Sequence, residues 1–471
     1  MKGSPSIAEV KPSQDHLKKF HWEPQPAAQK LVDDLLQGFL ALCPEAQTLV
    51  RRMSLETATR FKDWIDHIHL GDSPDMRQRL ASVGYVSTPV PGAPGNFTHP
   101  GAILPAIVLD TKNATLRVAI KVDSVADFLA AHGLTSEVLG DPLSQLRMAA
   151  AFRSGSAELW AVERHGTRSH EIKPSDPAKS IAAMRHLEAF CRRPRDIADD
   201  HMALKFLDRL VDAAVQDLGS DWACDLFFEG ERRYWMRRNT AARIQYARQN
   251  KLGLGWANHD HHTYRCTRHN FHRVIAIWEK LGFVAREAFY AGAEAGWGAQ
   301  VMEQPVTQIT TFNDVDLTPE EILGDFAHEG LPEAKEEVGT VGLWVRLHGE
   351  SLLDAGMHHL ECQFDFHALV AQLEAANVKT MDPFTTFPFL RQAFTEGERW
   401  SVEPRRIEAL LAKGYITKGQ ADAFRRDGAI GSHLENLERN DGYKGFNQQG
   451  VSDIIQRTDP RAHSDHGFTG A

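Results

Sequence analysis

The sequence predicts an α+β fold: a repeated strand–helix unit, used in pairs, with helical segments added around it. Three observations carry this. A short strand is followed by an amphipathic helix that ends at Gly or Asn, and the unit recurs along the chain. The 471 residues suffice for two to four compact units with a sizeable core. Between the copies lie stretches whose apolar spacing is helical.

Residues 1–60 read as a helical lead-in, because KLVDDLLQGFLALC and AQTLVRRMSLETATRFKDWI both carry helical periodicity. Two faint copies of the unit follow, WIDHIHLGDSPDMRQRLASVGYV and LRVAIKVDSVADFLAAHGL, the second stopping at Gly133. They place a first, degenerate module at 60–175. Residues 176–250 form a helical connector. The clearest copy is HDHHTYRCTRHNFHRVIAIWEKLGF. His261 to Cys266 reads as a strand, and Phe271, Val274, Ile275, Trp278 and Leu281 line one helix face up to a stop at Gly282. In the last copy Asp365 caps a helix with Phe366, Leu369, Val370 and Leu373 on its apolar face, ending at Asn377. Thr318, Pro319 and Glu321 have the spacing of a helix start. The second module with its C-terminal extension spans 255–471. Its tail after about 404 reads as helical and then loop-rich.

Composition narrows the function. A net charge of −10 argues against nucleic acid, which needs a concentrated cationic face. Five cysteines without a CxxC spacing fit free thiols in a reducing compartment. The N-terminus lacks the apolar core of a signal peptide, and no stretch of about 18 apolar residues suggests a membrane span. The expectation is a cytoplasmic protein acting on a small molecule.

Of the 23 histidines, five fall between His259 and His272. On a strand, residues two and four apart share a face. His261, Thr263 and Arg265 therefore point one way, as do His359, Glu361 and Gln363. Two imidazoles and one carboxylate leave three metal positions open, the arrangement of non-haem Fe(II) oxygenases. Glu403 in RWSVEPRRIEAL is taken as the carboxylate. A shift of one residue would bring His262 and His358 inward instead, so they are the fallback pair.

Strand–helix units used in pairs are similar to the vicinal-oxygen-chelate architecture, which implies paired βαβββ modules forming a half-barrel around one metal, here with added helical segments. Over residues 255–460 the motifs resemble those of the 2-oxoadipate dioxygenase/decarboxylase (hydroxyglutarate synthase) family. The matching segments are His261 with Arg265 four residues on, His358-His359-Leu360, Leu390-Arg391-Gln392 ahead of Val402-Glu403, and Val451-Ser452. Thr417 and Gly419 stand one residue closer to Glu403 than that pattern has them, and the lead of about 250 residues is longer than the family's.

The resemblance implies Fe(II) on His261, His359 and Glu403, with a 2-oxo acid and O2 as the small-molecule partners. It implies oxidative decarboxylation to a shortened hydroxy acid. It makes Arg265 and Arg391 candidate catalytic and anion-binding residues, and Val451 and Ser452 candidate substrate contacts. Two alternatives stand beside it: a redox-inert metal-dependent isomerase or lyase on the same fold, and a binding protein with a decayed site. The first module has His67, His69 and Glu158, but its strand LRVAIKV offers Ala119 between Arg117 and Lys121. One metal per chain is expected.

Overall fold

The structure is a computed structural model, and it describes residues 22–292, 295–332, 338–447 and 459–461. Among these, the strand–helix unit occurs four times, twice in each of two sheets. The first unit runs β1 (Ile65–Gly71), a helix Pro74–Ser82, β2 (Val86–Ser87), β3 (Asn96–Thr98) and β4 (Ala106–Asp110). The second runs β5 (Leu116–Lys121), a helix Val125–Ala131, β6 (Leu146–Ser154) and β7 (Ala157–Arg164). The third is β8 (His259–Arg265), a helix Phe271–Lys280, β9 (Val284–Tyr290), β10 (Trp297–Glu303) and β11 (Thr310–Asp316). The fourth is β12 (His359–Gln363), a helix Phe366–Glu374, β13 (Thr385–Phe387) and β14 (Leu390–Phe394), closed by β16 (Ala429–Arg439). A short strand β15 (Glu398–Trp400) and two helices, Pro404–Ala412 and Lys418–Asp427, are inserted before that last strand.

The first sheet has the order β2-β3-β4-β1-β5-β7-β6, and the second β13-β14-β16-β12-β8-β11-β10-β9 with β15 beside β16. Each sheet is thus two units joined side by side along one antiparallel seam, β1 with β5 and β8 with β12. Paired βαβββ units arranged this way make the half-barrel of the vicinal-oxygen-chelate fold. Each expected module is therefore a complete pair, and the four sequence copies are its four units.

Local chemistry explains the boundaries. Gly282 follows the helix Phe271–Lys280 at φ 85, and Gly133 follows Val125–Ala131 at φ 64. The Asp365 carboxylate accepts the Ala368 N–H at the next helix start. Thr318 and Glu321 do form the expected reciprocal pair, yet only a single 3-10 turn, Glu321–Leu323, follows. The tail is helical through Asp427 as expected, but a strand follows where loop was expected. The stretch 429–439, rich in helix formers, is the long strand β16, because both its edges find strand partners.

Two large cores hold the sheets. One lies under the first sheet with the lead-in helices, through Phe39, Trp64, Ile68 and Phe128. The other joins the second sheet to the helical connector. There Phe190, Phe227 and Phe228 pack against Val274, Ile275 and Trp278. Trp278 is fully buried and donates its indole N–H to Asn313 at 2.7 Å, satisfying the ring's polar end. The connector is tied to the first sheet by His165, whose ring nitrogens meet Glu163 on β7 at 3.0 Å and Asp225 at 2.8 Å.

Two outcomes follow. Burial alone would lower the His165 pKa, but hydrogen bonds to Asp225 and Glu163 raise it to about 10. Its stabilising contribution is full below the unfolded value near 6.5 and is lost as pH rises towards 10. Melting temperature measured from pH 6 to 10 should fall more steeply in the parent than in His165→Gln; parallel curves would contradict this. Gly431 sits where an added Cβ would lie 2.0 Å from the Trp400 ring. Gly431→Ala should therefore cost about 1–3 kcal/mol in urea unfolding.

Candidate metal centre

The seam between β8 and β12 sets His261 opposite Glu361 and Thr263 opposite His359. The parallel pairing of β12 with β16 then sets Glu361 beside Glu435 and His359 beside His433. Side chains in one row of neighbouring strands lie close enough to share a ligand. His261, Glu361 and Glu435 each offer a donor atom within 4.8 Å of the others. His359 joins them: its Nε2 is 2.5 Å from Glu361 Oε1 and 3.9 Å from Glu435 Oε2. His261 Nε2 is 3.2 Å from the same Glu361 oxygen.

Neighbours orient these groups. Asp260 accepts the Nδ1–H of His261 at 2.8 Å, which leaves Nε2 as the lone-pair nitrogen facing the cluster. Arg439 grips both Asp260 oxygens, at 2.8 and 3.0 Å. Burial would raise Asp260, but the guanidinium and the imidazole hold its carboxyl well below the ordinary range. Thr263 donates to Glu361 at 2.8 Å, and Gln392 donates to Glu435 at 2.9 Å.

The cluster is short of positive charge. Burial, and then Glu435, push Glu361 well above the usual carboxylate range, and burial pushes Glu435 to about 8. Burial also holds His261 and His359 below the usual imidazole range. Glu361 Oε2 and His359 Nδ1 are buried without a hydrogen-bond partner among the described residues. Two buried carboxylates facing two lone-pair imidazoles are costly unless a cation joins them. Their donor chemistry fits a first-row divalent ion.

The cluster lines a cavity of about 70 Å³, walled by Phe289, Trp297, Phe312, Phe384, Phe394 and Phe446. Arg265 enters the same cavity. It is buried, lies 3.5 Å from Asp314 and has Nε and Nη1 without a hydrogen-bond partner among the described residues. Burial raises the Asp314 pKa to about 7, so its neutralisation of Arg265 is incomplete near neutral pH.

The structure brings His261, His359 and Arg265 together, but not the other expected residues. Glu403 is more than half exposed, at the start of the helix Pro404–Ala412, and pairs with Arg405. The sequence VEPRR is a helix start, and the carboxylates at the cluster are Glu435 and Glu361 instead. Arg391 lies on the opposite face of β14 from Gln392 and Phe394, which line the cavity, and it pairs with Glu438 at 3.1 Å. Val451 and Ser452 lie outside the described residues. Of the fallback pair, His262 packs on Phe228 in the core, 4.9 Å between ring centroids. His358 does line the cavity, while its Nδ1 is held by the Gly431 carbonyl at 3.0 Å.

The first sheet carries a stripped copy of the same frame. His67 is the third residue of β1, as His261 is of β8. Asp66 holds His67 Nδ1 at 2.7 Å, and Arg164 grips Asp66 at 2.8 and 2.9 Å. The strand register then places Ala119 and Trp160 where the second sheet has Glu361 and Glu435. Arg117, opposite His69, stacks over Trp160 at 4.2 Å. The orienting pair survives and the metal donors do not.

No family model matches the chain, and no curated protein does. Among solved structures it is similar to a 4-hydroxymandelate synthase mutant from Streptomyces coelicolor, at 12% identity and TM-score 0.23, over 86% of this chain and 99% of that one. It is similar to an uncharacterized protein from Shigella flexneri that includes domain DUF1338, at 10% identity and TM-score 0.24, over 55% and 73%. Methylmalonyl-CoA epimerase from Mycobacterium tuberculosis overlaps 39% of this chain and 89% of its own, at 12% identity and TM-score 0.22. Likenesses this partial carry no chemistry across, which leaves the side chains of this chain to decide it.

Proposed function

We propose that this chain is a non-haem Fe(II) dioxygenase that oxidatively decarboxylates a small 2-oxo acid, of the 2-oxoadipate type, to a shortened hydroxy acid. His261, His359 and Glu435 hold the metal, and Glu361 is a second carboxylate within reach. The observation that carries this reading is the convergence of four metal-donor side chains with an under-partnered guanidinium in one aromatic-walled cavity. Bound there, ferrous iron would supply chelation of the 2-oxo acid and activation of O2.

The chain's own groups do the rest. Asp260, kept ionised by Arg439, holds the proton on His261 Nδ1 and so fixes the tautomer that presents Nε2. Thr263 and Gln392 fix the two carboxylates against rotation. Arg265 can donate a charge-assisted hydrogen bond to a substrate carboxylate from its Nη1, from a planar guanidinium that the point charge of Lys does not reproduce. The six aromatic rings exclude water, which strengthens every polar contact inside.

Size narrows the substrate. At roughly 10–15 Å³ of such space per water, the cavity takes about five to seven water-sized groups. That space favours a short oxo acid over a bulky thioester, and a chain as long as 2-oxoadipate would have to displace part of the aromatic wall. No helix among the described residues is long and apolar enough to cross a membrane.

One observation favours a second reading. Glu361 is a carboxylate beyond the three ligands an oxygenase site needs, and a redox-inert isomerase or lyase would use it as a base. Turnover under argon would support that reading and reject ours, whereas O2 uptake matched to CO2 release supports ours.

His261→Ala, His359→Ala and Glu435→Ala should each lose bound iron and activity, while Glu403→Ala keeps both. Elemental analysis of the reconstituted parent should give one iron per chain, because Ala119 and Trp160 fill the donor positions of the first sheet. Two tightly bound irons, or a metal-free Glu403→Ala protein, would overturn the assignment.

Arg265→Lys should keep its iron and lower kcat/KM by roughly ten- to hundredfold, the equivalent of about 1.5–3 kcal/mol for one charge-assisted contact. Steady-state O2 uptake with a panel of 2-oxo acids reads this directly, and unchanged kinetics would remove Arg265 from substrate binding.

A further inference from the structure

A second and much larger cavity, about 600 Å³, opens where the ends of the two sheets meet the helix Ser220–Met236. That volume is in the range of small-molecule sites. Its floor is buried, at Asn96, Arg232 and Arg439, and its rim is exposed, at Ile103, Arg168 and Gln308. Its inner end reaches the outer side of the Asp260–Arg439 pair, behind the metal centre.

Most charges in the lining are already neutralised. Arg164 pairs with Asp66 at 2.8 Å, Arg439 with Asp260 at 2.8 Å, Arg232 with Glu229 at 3.2 Å and Lys444 with Glu303 at 2.8 Å. Three cations are not, and one of them, Lys62, donates to the Asn440 side-chain carbonyl oxygen at 3.1 Å. Lys121, at the end of β5, makes no hydrogen bond or ion pair among the described residues. Burial draws its ammonium below the usual lysine range. Arg168 donates to the Pro305 carbonyl at 3.1 Å and has no carboxylate partner among the described residues. Asp123, the nearest acid along the chain, accepts the Trp256 N–H at 2.7 Å.

A half-buried ammonium without a partner is costly for a protein to keep. The rim carries a second sign of use. Leu143 and Gln308 line the cavity, and both hold a left-handed backbone, φ 65 and φ 62. Side chains other than Gly avoid that region, and such strain persists mainly where a binding surface needs it.

We propose that this cavity binds a small organic or inorganic dianion, carrying carboxylates or a phosphate, with its charge met by Lys121 and Arg168. This site is separate from the metal centre and does not depend on what that centre catalyses.

Isothermal calorimetry on the full iron-loaded chain tests it, with inorganic phosphate in one arm and succinate in the other. Arg265→Lys is run beside the parent to separate binding at the metal centre. The expected result is saturable one-to-one binding of at least one probe, unchanged in Arg265→Lys. Affinity should fall about tenfold or more in Lys121→Gln and return in Lys121→Arg. Because a half-buried ammonium without a partner among the described residues is costly to keep, Lys121→Gln should melt at or above the parent's temperature. Absence of saturable binding of both probes at millimolar concentrations, equal affinity in Lys121→Gln, or loss of binding in Arg265→Lys would each overturn the proposal.

Discussion

The antiparallel seam between β8 and β12 is the constraint on which the rest of the metal centre depends. It fixes which side chains meet, because His261 faces Glu361 and Thr263 faces His359 across it. Period-two alternation makes the register of β8 all or none: a slip of one residue would turn His262 inward and bury His261 in the core. The slip is blocked by packing. His262 already sits against Phe228, and Tyr264 sits against Trp278, 4.9 Å between centroids. The core therefore selects the register, and the register assembles the site.

The strand–helix copies were legible because each combines a period of 2 with a period of 3.6 and ends at a residue suited to positive φ. Two-residue spacing grouped His261 with Thr263 and Arg265, and His359 with Glu361, but left His262 and His358 as the alternative faces, and the family resemblance chose between them. Glu403 misled because a carboxylate next to Pro is equally a helix start. Glu435 was missed because SHLENLER is rich in good helix formers and no apolar alternation marks it as a strand. Only its partners β12 and β14 make it one. Glu361 was placed on the right face, but nothing local shows that Glu435 would stand beside it. Contacts between strands far apart in sequence carry that information.

The two sheets show which part of such a site resists change. Asp66, His67 and Arg164 repeat the geometry of Asp260, His261 and Arg439, though no donor cluster remains around His67. The pair is structural in its own right: a buried aspartate bridged to an arginine ties the first strand of one unit to the last strand of the other. In the first sheet that tie persists. Ala119 and Trp160 replace carboxylates, and Leu146, Met148, Ala150 and Val162 pack around them.

That contrast bears on why the second sheet keeps its polar cluster. An apolar filling of the kind found around Trp160 is the cheaper solution, since replacing buried charged groups by well-packed apolar ones is often neutral or stabilising. The second sheet instead buries Glu361, Glu435, His261 and His359 together, at 0–7% exposure, with two of their atoms lacking any hydrogen bond among the described residues. Such a cluster lowers the stability of the fold by itself. It is offset when a cation binds the folded state alone, because binding free energy then adds to folding free energy. The same chain thus contains both the site and its silent counterpart, and the difference between them is confined to the donors that a metal would use.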